Sequence, residues 1–221
     1  MHHSTPRLVI FDLDGTLVDS LPATFACFAE AVAPFLGRLP GKGEILARMG
    51  AADQCIIADW VGAAHAEEAV ARLYACYARE FAALAPFPGV VPLLRDLRAS
   101  GRRTGLFTGR GRPSTDAMLR ALALGDLFDA SVTGEEVARP KPAPDGLIAV
   151  AAGCAVPPAE AVYVGDSPLD IRAALAAGVR PVAVLWGTHQ REELDAFDGL
   201  ARAETVEGLR ELLALPPPAS L

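Results

Sequence analysis

The run Leu8-Val9-Ile10-Phe11 is apolar at every position, and the chain turns polar directly after it at Asp12. A short, uncharged, β-rich run of this kind predicts a strand buried on both faces. From residue 19 to about 84 the pattern is different. Alanine is abundant and apolar residues recur at helical intervals, with breaks at Pro34, Gly37 to Gly43, Met49-Gly50 and Gly62. The clearest helix is 67–84, with Val70, Leu73, Tyr74, Tyr77 and Phe81 on one face. Ala85-Pro86-Phe87-Pro88-Gly89 then reads as a stiff linker.

Beyond the linker, strands at 103–107, 130–133, 161–164 and 181–185 alternate with helices at 91–99, 114–124, 143–152, 168–177 and 206–213. The tail containing Pro216-Pro217-Pro218 is expected to fray. Strands separated by helices imply right-handed crossovers and a parallel sheet. The expected fold class is therefore α/β, a doubly wound parallel sheet of Rossmann-like form. Its core would comprise residues 1–18 and 86–221, interrupted by an α-helical insertion over 19–85.

Composition supports a packed globular chain: 52% of the 221 residues are hydrophobic and 21% charged. The most hydrophobic stretch, 147–161, is broken by Gly153, Pro157 and Pro158 and carries Glu160, so no membrane span is expected. No secretory signal pattern is visible at the N-terminus, where His2 and His3 could be native or a tag remnant; a cytoplasmic protein is expected. A net charge of −7 argues against nucleic acid as a partner. The four cysteines, Cys27, Cys55, Cys76 and Cys154, show no paired spacing, and are expected reduced and mostly packed.

Three predicted strand ends carry polar residues: Asp12 with Asp14, Thr108 with Gly109, and Gly165 with Asp166. A parallel sheet concentrates its chemistry at the carboxyl ends of its strands. Asp12 and Asp14, two positions apart on extended chain, point the same way. Such close carboxylates call for a cation, an acid/base role, or both, although an isolated Asp-Gly pair could equally be a solvated turn. Of 20 basic residues only Lys42 and Lys141 are lysine. Lys141, in the loop Arg139-Pro140-Lys141-Pro142, reaches the same sheet edge, so a compact ammonium is a candidate there. Lys42 reads as a solvated residue in a glycine-rich turn. Ser167-Pro168-Leu169-Asp170 matches a helix capping box.

These four ordered segments, Asp12-Leu13-Asp14-Gly15-Thr16, Thr108-Gly109, Lys141 and Gly165-Asp166-Ser167-Pro168-Leu169-Asp170, resemble those of the haloacid dehalogenase superfamily. The resemblance spans nearly the whole chain and is to the phosphoglycolate phosphatase-like branch, whose helical cap falls where 19–85 lies here. It implies Asp12 as nucleophile and Asp14 as the acid/base that serves the leaving oxygen and then water. It implies Mg2+ held by Asp12, the backbone carbonyl of Asp14, and Asp166, with Asp170 supporting that shell. Thr108, the Gly109 amide and Lys141 would hold the phosphoryl group.

Departures from relatives narrow the reaction the resemblance implies. Dehalogenating members lack the second acid, present here as Asp14. Phosphonoacetaldehyde-cleaving members carry a lysine where Met49-Gly50-Ala51-Ala52-Asp53-Gln54 has none, and phosphomutases carry a histidine where Asp19-Ser20-Leu21-Pro22-Ala23-Thr24 has none. A phosphatase for a small phosphorylated metabolite remains, phosphoglycolate first and a sugar phosphate or nucleotide as alternatives; a non-catalytic phospho-ligand or signalling module is the different-class alternative. Arg48, Met49 and Gly50 are candidates for reading the leaving group. Arg110 could pair with a substrate carboxylate, though an arginine so placed is more often at the surface. A monomer or homodimer is compatible with all of this.

Overall fold

The computed structural model describes residues 5–49, 51–187 and 191–215. In chain order the elements are β1 (Leu8–Phe11), α1 (Leu21–Leu36), α2 (Lys42–Leu46), α3 (Asp53–Val61), α4 (Ala63–Glu80), α5 (Val90–Ala99), β2 (Arg103–Phe107), α6 (Arg112–Ala121), β3 (Ala130–Val132) and α7 (Asp145–Gly153). Then come β4 (Ala161–Gly165), α8 (Pro168–Ala177), β5 (Arg180–Val184), α9 (Arg191–Asp195), β6 (Ala201–Ala203) and α10 (Val206–Leu212).

The strands form one parallel sheet in the order β3-β2-β1-β4-β5-β6. β1 is central, with Phe11 opposite Leu106 on one side and Val164 on the other. All four of its side chains are buried, each contributing about 1.5–3 kcal/mol of burial free energy. They divide by the period of the strand: Val9 and Phe11 pack with Leu93 of α5 and Leu209 of α10 on one face, Leu8 and Ile10 with Leu147 and Val150 of α7 on the other. The strand order reverses between β1 and β4, and the carboxyl ends of adjacent strands at such a point open a crevice. Asp12 and Asp166 stand at those two ends.

Helices α1 to α4 are inserted between β1 and α5. The chain leaves and returns through paired segments: Val18 bridges Pro86, and the Phe87 amide donates to the Leu17 carbonyl at 2.9 Å. Helices α1 and α4 pack together through Phe28, Ala31, Leu73 and Tyr77. No helix among the described residues is long and apolar enough to cross a membrane.

Three expectations are corrected, and two elements appear that the sequence did not announce. Cys27 and Cys76 are not reduced: they form a disulfide joining α1 to α4, while Cys55 is exposed and Cys154 buried as free thiols. They are 49 residues apart and meet only because the two helices cross. Pro34 does not break α1 but sits in its last turn, on the exposed side, where water can satisfy the carbonyl that the missing N–H releases. The long helix of the insertion starts earlier and ends sooner than 67–84, and residues Phe81–Ala83 tighten into a 3-10 turn. Finally, α9 and the edge strand β6 carry no apolar alternation strong enough to announce them. Lys42 is exposed as expected, although it starts α2 rather than sitting in a turn. The Pro216-Pro217-Pro218 tail and His2 and His3 lie outside the described residues.

Candidate active site

The Asp12 amide donates to the Val164 carbonyl at 2.9 Å, continuing the β1–β4 ladder one residue past the strand. This sets the Asp12 carboxylate beside Lys141, whose Nζ donates to Asp12 Oδ1 at 2.6 Å and to Asp170 Oδ1 at 2.7 Å. The lysine comes from the loop before α7, and its ammonium lies 5.0 Å from the Phe107 ring centroid and 5.3 Å from that of Tyr163. Burial works against the ammonium, but Asp12 and Asp170 outweigh it and raise its pKa above the ordinary lysine value.

Asp170 has both oxygens committed. Oδ1 takes Lys141 and lies 2.9 Å from the Tyr163 hydroxyl, while Oδ2 accepts the Ser167 amide at 3.0 Å. The Ser167 side chain in turn accepts from the Asp170 amide, so the predicted capping box of α8 is present. A Cβ on Gly165 would overlap the Asp170 side chain, which is why glycine ends β4. Asp166 accepts from the Thr16 hydroxyl at 3.2 Å. Gly15, at φ +76°, packs against it so closely that a Cβ would overlap the Asp166 carboxylate.

Asp12, Asp166 and Asp170 are all buried, and one carboxylate oxygen from each lies within 4.8 Å of the others. One lysine faces these three acids. Burial, with Asp170 and Asp14 adding repulsion against the pull of Lys141, pushes the Asp12 carboxyl up to about 7. Burial and the nearby Asp12 push Asp166 well above the ordinary carboxylate range. An all-oxygen donor set with excess negative charge fits a hard divalent cation. Asp12 and Asp166 retain oxygens for one. Asp170, bonded on both oxygens, holds Lys141 and the helix start instead.

Asp14 does not face this cluster. Its carboxylate accepts from Arg110 Nε at 2.8 and 3.0 Å and from Arg110 Nη2 at 2.7 Å, and also from the Ser20 hydroxyl. Arg110 is thus not a surface residue: it is 4% exposed, donates to Thr24 of α1, and lies under the rings of Tyr77 and Phe81 at 4.8 and 5.3 Å. Its partners come from three distant segments, which sequence spacing cannot reveal.

One cavity of about 120 Å³ joins these groups. Asp12, Thr108, Gly109, Lys141, Asp166 and Ser167 line its floor, with Asp14 and Arg110 at its wall. The insertion covers it with Leu21, Thr24, Phe28, Leu46, Met49 and Ile56. Met49 therefore reaches the cavity, whereas Arg48 is exposed, stacks on Trp60 at 4.6 Å and does not line it. Gly50 lies outside the described residues. Sequence reasoning missed Asp53, a cavity-lining acid at the start of α3 that is 3% exposed. It accepts from the Ser114 hydroxyl at 2.5 Å and, more weakly, from the Gly111 amide at 3.5 Å, tying the insertion to the start of α6. Burial raises its pKa. No sequence signal marks it, since an acid in a first helical turn is ordinary.

A doubly wound sheet with clustered acids and a buried lysine at its topological switch point defines an α/β enzyme core. The chain belongs to the haloacid dehalogenase-like hydrolase family, whose family model matches residues 9–184. It is 35% identical over 220 residues to phosphoglycolate phosphatase 1 of Pseudomonas aeruginosa, covering 94% of this chain and 79% of that one. It is 34% identical to phosphoglycolate phosphatase of Rhodospirillum rubrum, covering 96% and 93%. The crystal structure of a hydrolase from Pseudomonas syringae superposes with a TM-score of 0.81 at 26% identity, covering 94% of this chain and 98% of that one.

Proposed function

We infer that this hydrolase is a Mg2+-dependent phosphatase acting on a small phosphomonoester, with phosphoglycolate the first candidate. The observation that carries the reading is the meeting of Asp12, Lys141, Asp166 and Thr108 around one small cavity. Its volume leaves room for a phosphoryl group and only a few further heavy atoms, which favours a small metabolite over a nucleotide. The similarity to phosphoglycolate phosphatases along nearly the whole chain favours the same choice.

In this reading a carboxylate oxygen of Asp12 attacks phosphorus and the bond to the leaving oxygen breaks, leaving an aspartyl-phosphate. Asp14 gives its proton to that leaving oxygen. It then takes a proton from water, whose oxygen bonds phosphorus as the bond to Asp12 breaks. Lys141 steadies Asp12 and faces the charge on the transferring group, while the Thr108 hydroxyl and Gly109 amide hold phosphoryl oxygens. Asp12, the Asp14 carbonyl and Asp166 would hold Mg2+, with Asp170 behind them. That ion would supply positive charge to the phosphoryl oxygens and relieve the buried carboxylates. Residues 19–85 act as a cap that admits substrate and excludes water, hinged at the paired segments near Val18 and Pro86.

The first test is Mg2+-dependent turnover of p-nitrophenyl phosphate, which Asp12→Asn should abolish. Wild-type turnover by that variant would remove the nucleophile assignment. A panel of phosphorylated metabolites, compared by kcat/KM, should place phosphoglycolate first; a sugar phosphate ranking above it would redirect the substrate.

A further inference from the structure

The wall of the cavity holds an arrangement that the phosphoryl chemistry does not explain. Asp14, needed at the leaving oxygen in the function proposed above, has its carboxylate engaged by Arg110 and Ser20. Arg110 is buried, is fixed against Tyr77 and Phe81, and lines the cavity itself. Its Nη1 has no hydrogen-bond partner. A buried guanidinium with an unused donor is costly to leave incomplete. Its fork geometry suits a carboxylate in particular. Of the described cavity-lining residues only Arg110 and Lys141 are cationic, and Lys141 is bonded to Asp12 and Asp170 at the phosphoryl end.

We propose that Arg110 is a specificity residue that exchanges carboxylates: the carboxylate of the substrate's leaving half takes the guanidinium, and Asp14 is thereby released to turn to the leaving oxygen. The proposal rests on the phosphatase reading and deepens it. The exchange replaces one anion by another, so Arg110 is never left unpaired. Recognition of the second anion is then coupled to positioning of the acid. A substrate without that anion leaves Asp14 on Arg110 and reacts slowly even when bound. Discrimination therefore falls on kcat as well as KM.

The test compares phosphoglycolate with ethyl phosphate, which has a methyl group where phosphoglycolate has its carboxylate. The wild-type enzyme should prefer phosphoglycolate by at least about 100-fold in kcat/KM, as sites built around a polar partner do. Arg110→Met, which keeps an unbranched chain between the two rings, should bring the ratio to within about threefold of unity. The same change should raise kcat for ethyl phosphate, because Asp14 has no guanidinium to stay on. Arg110→Lys, retaining the charge without the fork, should move both quantities the same way by less, and serves if the Met variant does not fold. A parallel fall on both substrates with the ratio intact would assign Arg110 a structural role and overturn the exchange. So would a wild-type enzyme indifferent to the carboxylate. Failure of the wild type on both esters and on p-nitrophenyl phosphate would instead sink the phosphatase reading.

Discussion

Asp12 makes the metal-free protein's stability depend on pH in a direction opposite to that of an ordinary ion-paired carboxylate. Its carboxyl is raised from 3.8 to about 7, chiefly by burial. Between those values the folded protein holds a proton that the unfolded chain has released, so raising the pH removes stability. The loss begins near pH 4 and is complete above about pH 7. At 1.36 kcal/mol per unit, the full loss is about 4 kcal/mol, and more than half of it falls between pH 5 and 7.5. For a chain of this size that is a fall of about 5–10 °C in Tm. Asp12→Asn keeps the shape and removes the titration, and also relieves Asp166, which Asp12 helps to raise. Urea unfolding in EDTA at pH 5 and 7.5 should therefore show the wild type losing more stability than the variant by at least that amount. Adding Mg2+ at pH 7.5 to about 100 times its Kd should restore about 2.7 kcal/mol to the wild type and much less to Asp12→Asn. Parallel pH curves for the two proteins, or equal stabilisation by Mg2+, would refute the argument that buried charge at Asp12 is what the cation relieves.

Lys141→Met should lower kcat for p-nitrophenyl phosphate by about 100- to 1000-fold, and destabilise the fold by about 3–5 kcal/mol through the stranded acids; activity within threefold of wild type would count against it. Gly15→Ala would force a side chain into the Asp166 carboxylate at positive φ, so the Mg2+ concentration for half-maximal activity should rise at least about tenfold. An unchanged Mg2+ titration would contradict that packing. Titration of thiols in denaturant without reductant should find two reactive cysteines rather than four. Reduction should lower stability by up to about 4 kcal/mol, the chain-entropy estimate for a loop of this length, and an unchanged Tm would argue against the link.

Local chemistry was legible from the chain wherever one segment contains its own explanation. The apolar run into Asp12, the Ser167 to Asp170 capping box and the alternation of strands and helices are of this kind. Lys141 could be singled out because the chain otherwise uses arginine almost throughout. What remained hidden depends on contacts between segments far apart. Arg110 reads as a surface residue until Asp14, Thr24, Tyr77 and Phe81 are gathered around it. Cys27 and Cys76 have no telling spacing because their partnership is set by a helix crossing. β6 is an edge strand of Ala-Arg-Ala, too short and too weakly apolar to show a period. Asp53 is unremarkable in sequence, since only the docking of α3 on the start of α6 buries it.

The pairing of Leu17 and Val18 with Pro86 and Phe87 has a consequence for how such an enzyme can diversify. Both ends of the helical insertion emerge side by side, next to a sheet whose β1–β2 and β1–β4 ladders do not run through it. Residues between those ends can change in length and shape without disturbing the register that places Asp12 beside Asp166. The freedom is bounded, because one apolar cluster runs from Val90 and Leu93 of the core through Leu21 and Phe25 into Leu73 and Tyr77. A transplanted insertion must therefore bring a matching underside. Given that match, substrate choice can drift while the reacting atoms stay where the sheet puts them.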